Sequence, residues 1–200
     1  MSKWFWLGIG LVIGIVAMVG VMSLQPYTLR GSEIDPPIPA PEIHLSSTHG
    51  GAYKLSDQKG QLVVMFFGYT SCPDVCPVTL SEMRQLRSRL GNLSSKIDFV
   101  YVTVDPERDT LDHMTNYLNA FDPGVIGLTG SVAELEPVWA PYGVWREIQE
   151  GATAAGYLVG HSSRLYVIDR NNNLRATYSF GTPVEDVESD LRYLLKERVQ

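Results

Sequence analysis

The sequence is poor in cysteine and has no excess of positive charge, and each shortage excludes certain kinds of site or partner. Two cysteines among 200 residues, Cys72 and Cys76, exclude a framework of several disulfides and a zinc site built from four cysteines. The formal net charge of −6 gives no sign of a phosphate-neutralising surface, so nucleic acid is not an expected partner. An apolar fraction of 44% and a charged fraction of 19% exclude a disordered chain.

Charge is also missing between Lys3 and Arg30, where residues 4–24 form a nearly continuous apolar run. About 20 apolar residues in a helix cross a hydrocarbon core of roughly 30 Å. A cleaved signal peptide is the alternative, but its apolar core is shorter and ends in a small-residue pattern that 21–25 lack. We therefore predict an uncleaved transmembrane anchor over 4–24, with residues 1–3 on the cytoplasmic side because of Lys3.

This orientation predicts a single-pass protein of the bacterial inner membrane, with its carboxyl-terminal part in the periplasm. A mitochondrial inner-membrane origin is disfavoured, because no presequence rich in Arg and Ser precedes the apolar run. The proline-rich segment 35–41 predicts a stiff polyproline spacer, so we assign 25–41 to a linker. One globular domain then covers 42–200.

Hydrophobic periodicity predicts alternating strands and helices over 42–200. The predicted strands are Glu42–Ser46, Tyr53–Leu55, Leu62–Phe67, Ile97–Val104, Val125–Leu128, Arg164–Ile168 and Leu174–Phe180. The predicted helices are Val78–Leu90, the stripe Leu111, Met114, Leu118 and Phe121, Val132–Trp139, and a last segment that begins near Pro183. This order predicts an α/β sandwich of the thioredoxin-like class with an amino-terminal β-hairpin extension, preceded by one transmembrane helix.

The two cysteines are separated by three residues and lie between a buried strand and a helix. Pro77 lacks an N–H, so we expect the regular helix to begin there and Cys72–Cys76 to form one loose turn before it. On such a turn the two sulfurs could bond to each other or share a metal ion, and helix-terminal N–H groups favour thiolates. A structural disulfide is disfavoured because so short a loop adds little stability. A peroxiredoxin is also disfavoured, since Tyr69 and Met65 stand where its Thr and Pro are needed.

A histidine is the natural third ligand, because soft thiolates select Cu(I) and an added imidazole lets a site also hold Cu(II). We expect His44, His49 and His113 at the surface, in or beside a polar hairpin or off the apolar stripe of a helix. His161 is the first residue of the segment 161–163, directly before the strand Arg164–Ile168. In a thioredoxin-like fold, the loop at this position packs against the cysteine turn. Spacing alone leaves open whether His161 is a ligand or an ordinary polar loop residue.

Together these residues resemble the Sco/SenC family. The matching segments are Phe67–Pro77 (FGYTSCPDVCP), Val104–Thr110 (VDPERDT), Leu128–Gly130, His161–Ser163 and Tyr166–Asp169, with order and spacing that agree over roughly 40–198. The resemblance implies a membrane-anchored copper protein of thioredoxin fold that helps to assemble the copper A centre in subunit II of cytochrome c oxidase. It also implies that Cys72, Cys76 and His161 bind the copper.

One position departs from the family pattern, since the family often has Asp directly before the histidine and this chain has Gly160. A neighbouring carboxylate can orient an imidazole and raise its basicity, so we expect the difference to affect Cu(II) affinity or redox balance rather than the ligand set. Asp105 and Asp109 follow a strand end. They are candidates for the rim of the site. The alternative is that Asp109 or Thr110 caps the next helix.

We therefore hypothesise a copper metallochaperone that carries one ion, as Cu(I) or Cu(II), to the oxidase subunit. The alternative is a thiol–disulfide reductase that keeps the acceptor cysteines reduced, in which Cys72 attacks and Cys76 resolves the mixed disulfide. A copper or redox sensor is a third option, for which the sequence offers no signalling partner. Another copper carrier, a thiol–disulfide reductant and the lipid bilayer are the other expected partners.

Overall fold

A computed structural model of the chain describes residues 4, 14, 15, 27–153 and 156–197. The predicted cytoplasmic terminus and transmembrane anchor, residues 1–24, therefore lie outside the described residues apart from three positions. Within the described part of the chain, no helix combines the length and the apolar character that a membrane crossing needs.

Ten strands and four α-helices follow one another in the described part of the chain. The strands are β1 (Ser32–Pro39), β2 (His44–Ser47), β3 (Ala52–Lys54), β4 (Leu62–Gly68), β5 (Ile97–Thr103), β6 (Val125–Thr129), β7 (Arg146–Thr153), β8 (Gly156–His161), β9 (Arg164–Ile168) and β10 (Asn173–Ser179). The helices are α1 (Val75–Leu90), α2 (Leu111–Phe121), α3 (Val132–Trp139) and α4 (Val184–Leu194).

Eight of these strands form one mixed sheet in the order β1-β10-β9-β4-β5-β6-β2-β3. Strands β4, β5 and β6 are parallel and are joined through α1 and α2, whereas β9 runs antiparallel to β4. The predicted amino-terminal hairpin is β2–β3, and it extends the sheet beyond β6. This is the predicted α/β order, and it places the ends of β4 and β5 side by side.

The core forms where apolar strands meet the apolar stripe of a helix. Every residue of β4 is buried, as expected for a central strand covered on both faces. Helix α1 buries Leu80, Met83, Leu86 and Leu90, whose spacing follows the helical period. This packing fixes the start of α1 over the carboxyl end of β4.

The predicted proline-rich linker is wrong over Ser32–Pro39, because this segment is β1, the edge strand that pairs with β10. The pairing has a register shift between Glu33 and Ile38, which spans the two central prolines. An edge strand tolerates proline where a central strand does not, since one side of its backbone needs no partner. The domain therefore begins before residue 42.

The hairpin β7–β8 is a second difference, since we predicted no strand between Trp139 and Arg164. It forms a separate two-stranded sheet in which Arg146 pairs with His161. Among the described side chains of the hairpin, Val159 is buried. A hairpin that buries so little does not need the alternation of apolar and polar residues by which a strand is recognised in a sequence. His161 consequently ends a strand rather than heading a loop.

A buried carboxylate joins the first described residues of the domain to its last helix. Asp190 of α4 accepts hydrogen bonds from the hydroxyls of Tyr27 (2.6 Å) and Tyr178 (2.8 Å). It also accepts from the backbone N–H groups of Arg30 (2.7 Å) and Gly31 (3.2 Å). Because Asp190 is fully buried, these four donors replace the water it has lost.

Asp190→Ala should lower the free energy of unfolding by about 3 kcal/mol, because four donors lose their acceptor inside the protein. Urea denaturation followed by circular dichroism measures the change. Asp186→Ala is the matched control on the same helix, since its ion pair with Arg30 is exposed and its loss should cost less than about 1 kcal/mol. Equal losses in the two variants would contradict the assignment.

Candidate metal centre

The two cysteines lie at the junction of β4 and α1, and both are free thiols. Cys72 is half-buried in the loop after β4, and Cys76 is buried as the second residue of α1. We expected the regular helix to begin at Pro77, and it begins two residues earlier, at Val75. Proline is tolerated at this point because the first N–H groups of a helix have no acceptor within it.

Asp109 fixes the loop that leads to the cysteines. Its buried carboxylate accepts hydrogen bonds from the Thr70 N–H (3.1 Å), the Thr70 hydroxyl (2.5 Å) and the Thr103 hydroxyl (2.7 Å). These contacts tie the end of β4 to the end of β5. The helix cap that we considered for Asp109 is supplied by Thr110, which accepts from the N–H of His113.

His161 reaches the cysteines from the end of β8. Its Nε2 lies 3.8 Å from the Sγ of Cys76, and its Nδ1 lies 3.0 Å from the carbonyl oxygen of Ser162. Assigning the proton to Nδ1 satisfies that carbonyl and leaves the Nε2 lone pair facing the sulfur. The rings of Phe66 and Tyr69 contact the imidazole edge to face, with centroids at 6.1 and 5.7 Å.

The hairpin that carries His161 is anchored to the loop after β5. The Tyr157 hydroxyl donates to buried Asp105 at 2.7 Å, and Arg108 also pairs with Asp105. The guanidinium of Arg108 donates to the Tyr157 carbonyl at 3.0 Å and stacks on its ring at 3.8 Å. We predicted Asp105 as a rim residue but missed Arg108 and Tyr157, because no local pattern marks a contact between them.

Gly160 lies under the ring of Trp145. A β-carbon at position 160 would come within 3.0 Å of that ring, so the space is already filled. The Asp that the family often has at this position could not fit here without moving Trp145. The carbonyl of Ser162 orients the imidazole instead.

The two thiols have opposite acid–base properties. A hydrogen bond from Cys76 lowers the pKa of Cys72 to about 3. Cys76 donates this hydrogen bond and is also buried, and both effects raise its pKa. In the metal-free protein the half-buried sulfur is therefore a thiolate and the buried sulfur keeps its proton.

Cys72, Cys76 and His161 form a group whose ligand atoms all lie within 4.8 Å of one another. Two thiolates and one neutral imidazole are soft and borderline donors, so this set fits a copper ion. The remaining histidines, His44 and His49 near the β2–β3 hairpin and His113 on α2, are exposed, as expected.

Known proteins resemble this chain over most of its length. An SCO2-like protein of Rickettsia conorii is 32% identical over 193 residues, which cover 90% of this chain and 91% of the relative. The human mitochondrial SCO2 homolog is 32% identical over 155 residues, which cover 76% of this chain and 58% of that protein.

Solved structures agree with the fold. ScoI of Bradyrhizobium japonicum, described with copper bound, superposes with a TM-score of 0.72 at 33% identity and covers 79% of this chain and 99% of its own. Apo Sco1 of Thermus thermophilus superposes with a TM-score of 0.74 at 30% identity, over 84% and 98% of the two chains. The family model for SCO1/SenC matches residues 36–196. The chain therefore belongs to the SCO1/SenC family.

Proposed function

We propose that this protein is a copper carrier that holds one copper ion through Cys72, Cys76 and His161 and gives it up during the assembly of cytochrome c oxidase. The observation that carries the proposal is the convergence of two sulfurs and Nε2 within 4.8 Å at one edge of the sheet. The copper-bound ScoI of Bradyrhizobium japonicum supports copper as the cargo. The resemblance of the motifs supports the copper A centre of subunit II as the acceptor.

The burial of the ligands suggests how the cargo leaves. Cys72 is half-buried, whereas Cys76 is buried in the first turn of α1. An acceptor thiolate can approach the metal from the Cys72 side while Cys76 and His161 still hold it. Ligand exchange then begins at Cys72 and needs no net oxidation or reduction of the protein.

The site of action in this proposal is the outer face of a membrane. The uncharged apolar run 4–24, with Lys3 before it, supports an anchor whose domain lies in the periplasm. The Asp190 contacts with Tyr27, Arg30 and Gly31 would fix the direction in which the chain leaves the domain towards that anchor.

The reduced full-length chain should bind one copper ion, measured by metal analysis after anaerobic gel filtration in a mild detergent. Cys72→Ser and Cys76→Ser should lose the bound copper, because each removes a thiolate ligand. His161→Ala should lose the thiolate-to-Cu(II) charge-transfer absorption, because the imidazole is the ligand that suits Cu(II).

His113→Ala is the matched control, since this histidine is exposed on α2 and should leave both copper binding and the absorption spectrum unchanged. Full copper retention by the two cysteine variants would exclude the proposed site.

A thiol–disulfide reductase is the second candidate, and the low pKa of half-buried Cys72 is the observation that favours it. The Cys72 thiolate would attack a disulfide of the acceptor and form a mixed disulfide, releasing one acceptor thiolate. Cys76 would then lose its proton, attack Cys72 and release the second acceptor thiolate. The protein would be left with a Cys72–Cys76 disulfide, which an external thiol reductant must reduce before the next cycle.

The rate at which iodoacetamide alkylates Cys72 in the metal-free chain should stay nearly constant between pH 5 and 9. The alkylation rate of a thiol of ordinary pKa, about 8.5, would instead rise about tenfold for each unit by which the pH increases towards that value. Mass spectrometry of the labelled peptide measures the rate at each pH.

Cys76→Ala removes the main hydrogen bond that lowers the pKa of Cys72, so alkylation of this variant at pH 5 should slow. A wild-type rate that rises tenfold per unit from pH 5 to 8 would mean that Cys72 is not a thiolate at neutral pH.

A further inference from the structure

Tyr69 contacts both halves of the metal centre. Its carbonyl oxygen accepts a hydrogen bond from the N–H of Cys72 at 3.3 Å, in the turn that follows β4. Its hydroxyl accepts a hydrogen bond from the N–H of Val159 in β8, also at 3.3 Å. Its ring meets the imidazole of His161 edge to face, with planes at 85°. One buried residue thus links the cysteine turn to the strand that carries the histidine.

This link matters because the hairpin β7–β8 has no main-chain pairing with the large sheet. Its two strands form a sheet of their own in the described part of the chain. The distance from His161 to the cysteines is therefore set by side-chain contacts and not by the register of neighbouring strands. Val159 and His161 are two positions apart on β8, so their side chains point to the same side of the hairpin. The Val159 side chain is buried, so this side faces the domain.

The Tyr69 side chain is a stiff connection between these groups. Its ring is buried, and the guanidinium of Arg108 lies 5.7 Å from the ring centroid. Phe66 also contacts the imidazole, but a phenylalanine offers no acceptor to the hairpin backbone. Tyr69 combines the ring contact with the hydrogen bond, so it fixes both the imidazole and the strand that bears it.

We propose that Tyr69 is a positioning residue, which holds the hairpin and the His161 imidazole against the cysteine turn before the ion binds. This inference rests on the proposed function. An imidazole that is already in place loses little conformational freedom when copper binds, so the affinity of the site is higher than for a mobile ligand.

The metal-free, full-length chain in mild detergent tests the contact with the hairpin. Tyr69→Phe keeps the ring and removes the acceptor of the Val159 N–H, so the hairpin should open more often. Amide hydrogen exchange in the segment 159–161 should become about tenfold faster, as measured by mass spectrometry of its peptide.

Tyr142→Phe is the matched control for this experiment. Tyr142 is also a buried tyrosine whose hydroxyl bonds to the main chain, but its partner is the carbonyl of Pro41, at 2.8 Å, outside the hairpin. Exchange in 159–161 should remain at the wild-type rate in this variant.

Tyr69→Leu removes the ring as well as the hydroxyl and tests the contact with the imidazole. The affinity for Cu(I), measured by competition with bicinchoninate, should fall about tenfold, because the ion must then order the imidazole. In a His161→Ala background the two thiolates still bind Cu(I), and adding Tyr69→Leu should leave that affinity unchanged. A residue that only stabilises the fold would lower the affinity equally in both backgrounds.

The outcomes separate this inference from the proposed function. Unchanged exchange in Tyr69→Phe, or equal losses of affinity in the two backgrounds, would overturn the role of Tyr69 and leave the carrier intact. Faster exchange of the same size in Tyr142→Phe would show a general loss of stability and would also overturn that role. A wild-type chain that binds no copper would overturn both proposals.

Discussion

The loop after β5 holds both halves of the metal centre through two buried carboxylates. Asp109 accepts hydrogen bonds from the segment that leads to Cys72, and Asp105 accepts one from the hairpin that carries His161. A buried carboxylate is stable only when donors surround it, so each acid fixes the segment that donates to it. One loop thus sets the geometry of the candidate ligands Cys76 and His161, which are 85 positions apart in the sequence.

Elements with a local signal could be predicted from the sequence, and elements that depend on distant partners could not. The central strand β4 is apolar at nearly every position, and α2 and α3 have the spacing and caps of surface helices. The hairpin β7–β8 has no such pattern, because its anchor is the contact of Arg108 with Tyr157, 49 positions away. The edge strand β1 was mistaken for a spacer because its prolines favour an extended chain in either setting.

The metal centre shows the same division. The spacing of Cys72 and Cys76 predicts a functional pair, because four positions at a helix start bring two sulfurs together. Spacing alone left the role of His161 open, since a histidine before a strand has many possible neighbours, and only the family resemblance implied a ligand. The fold places its Nε2 3.8 Å from the Sγ of Cys76. Trp145 fills the space over Gly160, and this contact could not be predicted from the sequence because it depends on how β7 and β8 pair.

In the proposed carrier, copper binding and local opening of the separate hairpin β7–β8 would oppose each other. Of its described side chains it buries Val159, so its attachment depends mostly on polar contacts, such as those of Tyr157 with Asp105 and Arg108. A copper ion held as proposed would add a link from His161 to the cysteines. By thermodynamic reciprocity, whatever factor the ion contributes to closing the hairpin is also the factor by which an open hairpin weakens the ion's binding. An acceptor that binds the open form of the hairpin would therefore weaken copper binding, and it could receive the ion without competing with all three proposed ligands at once.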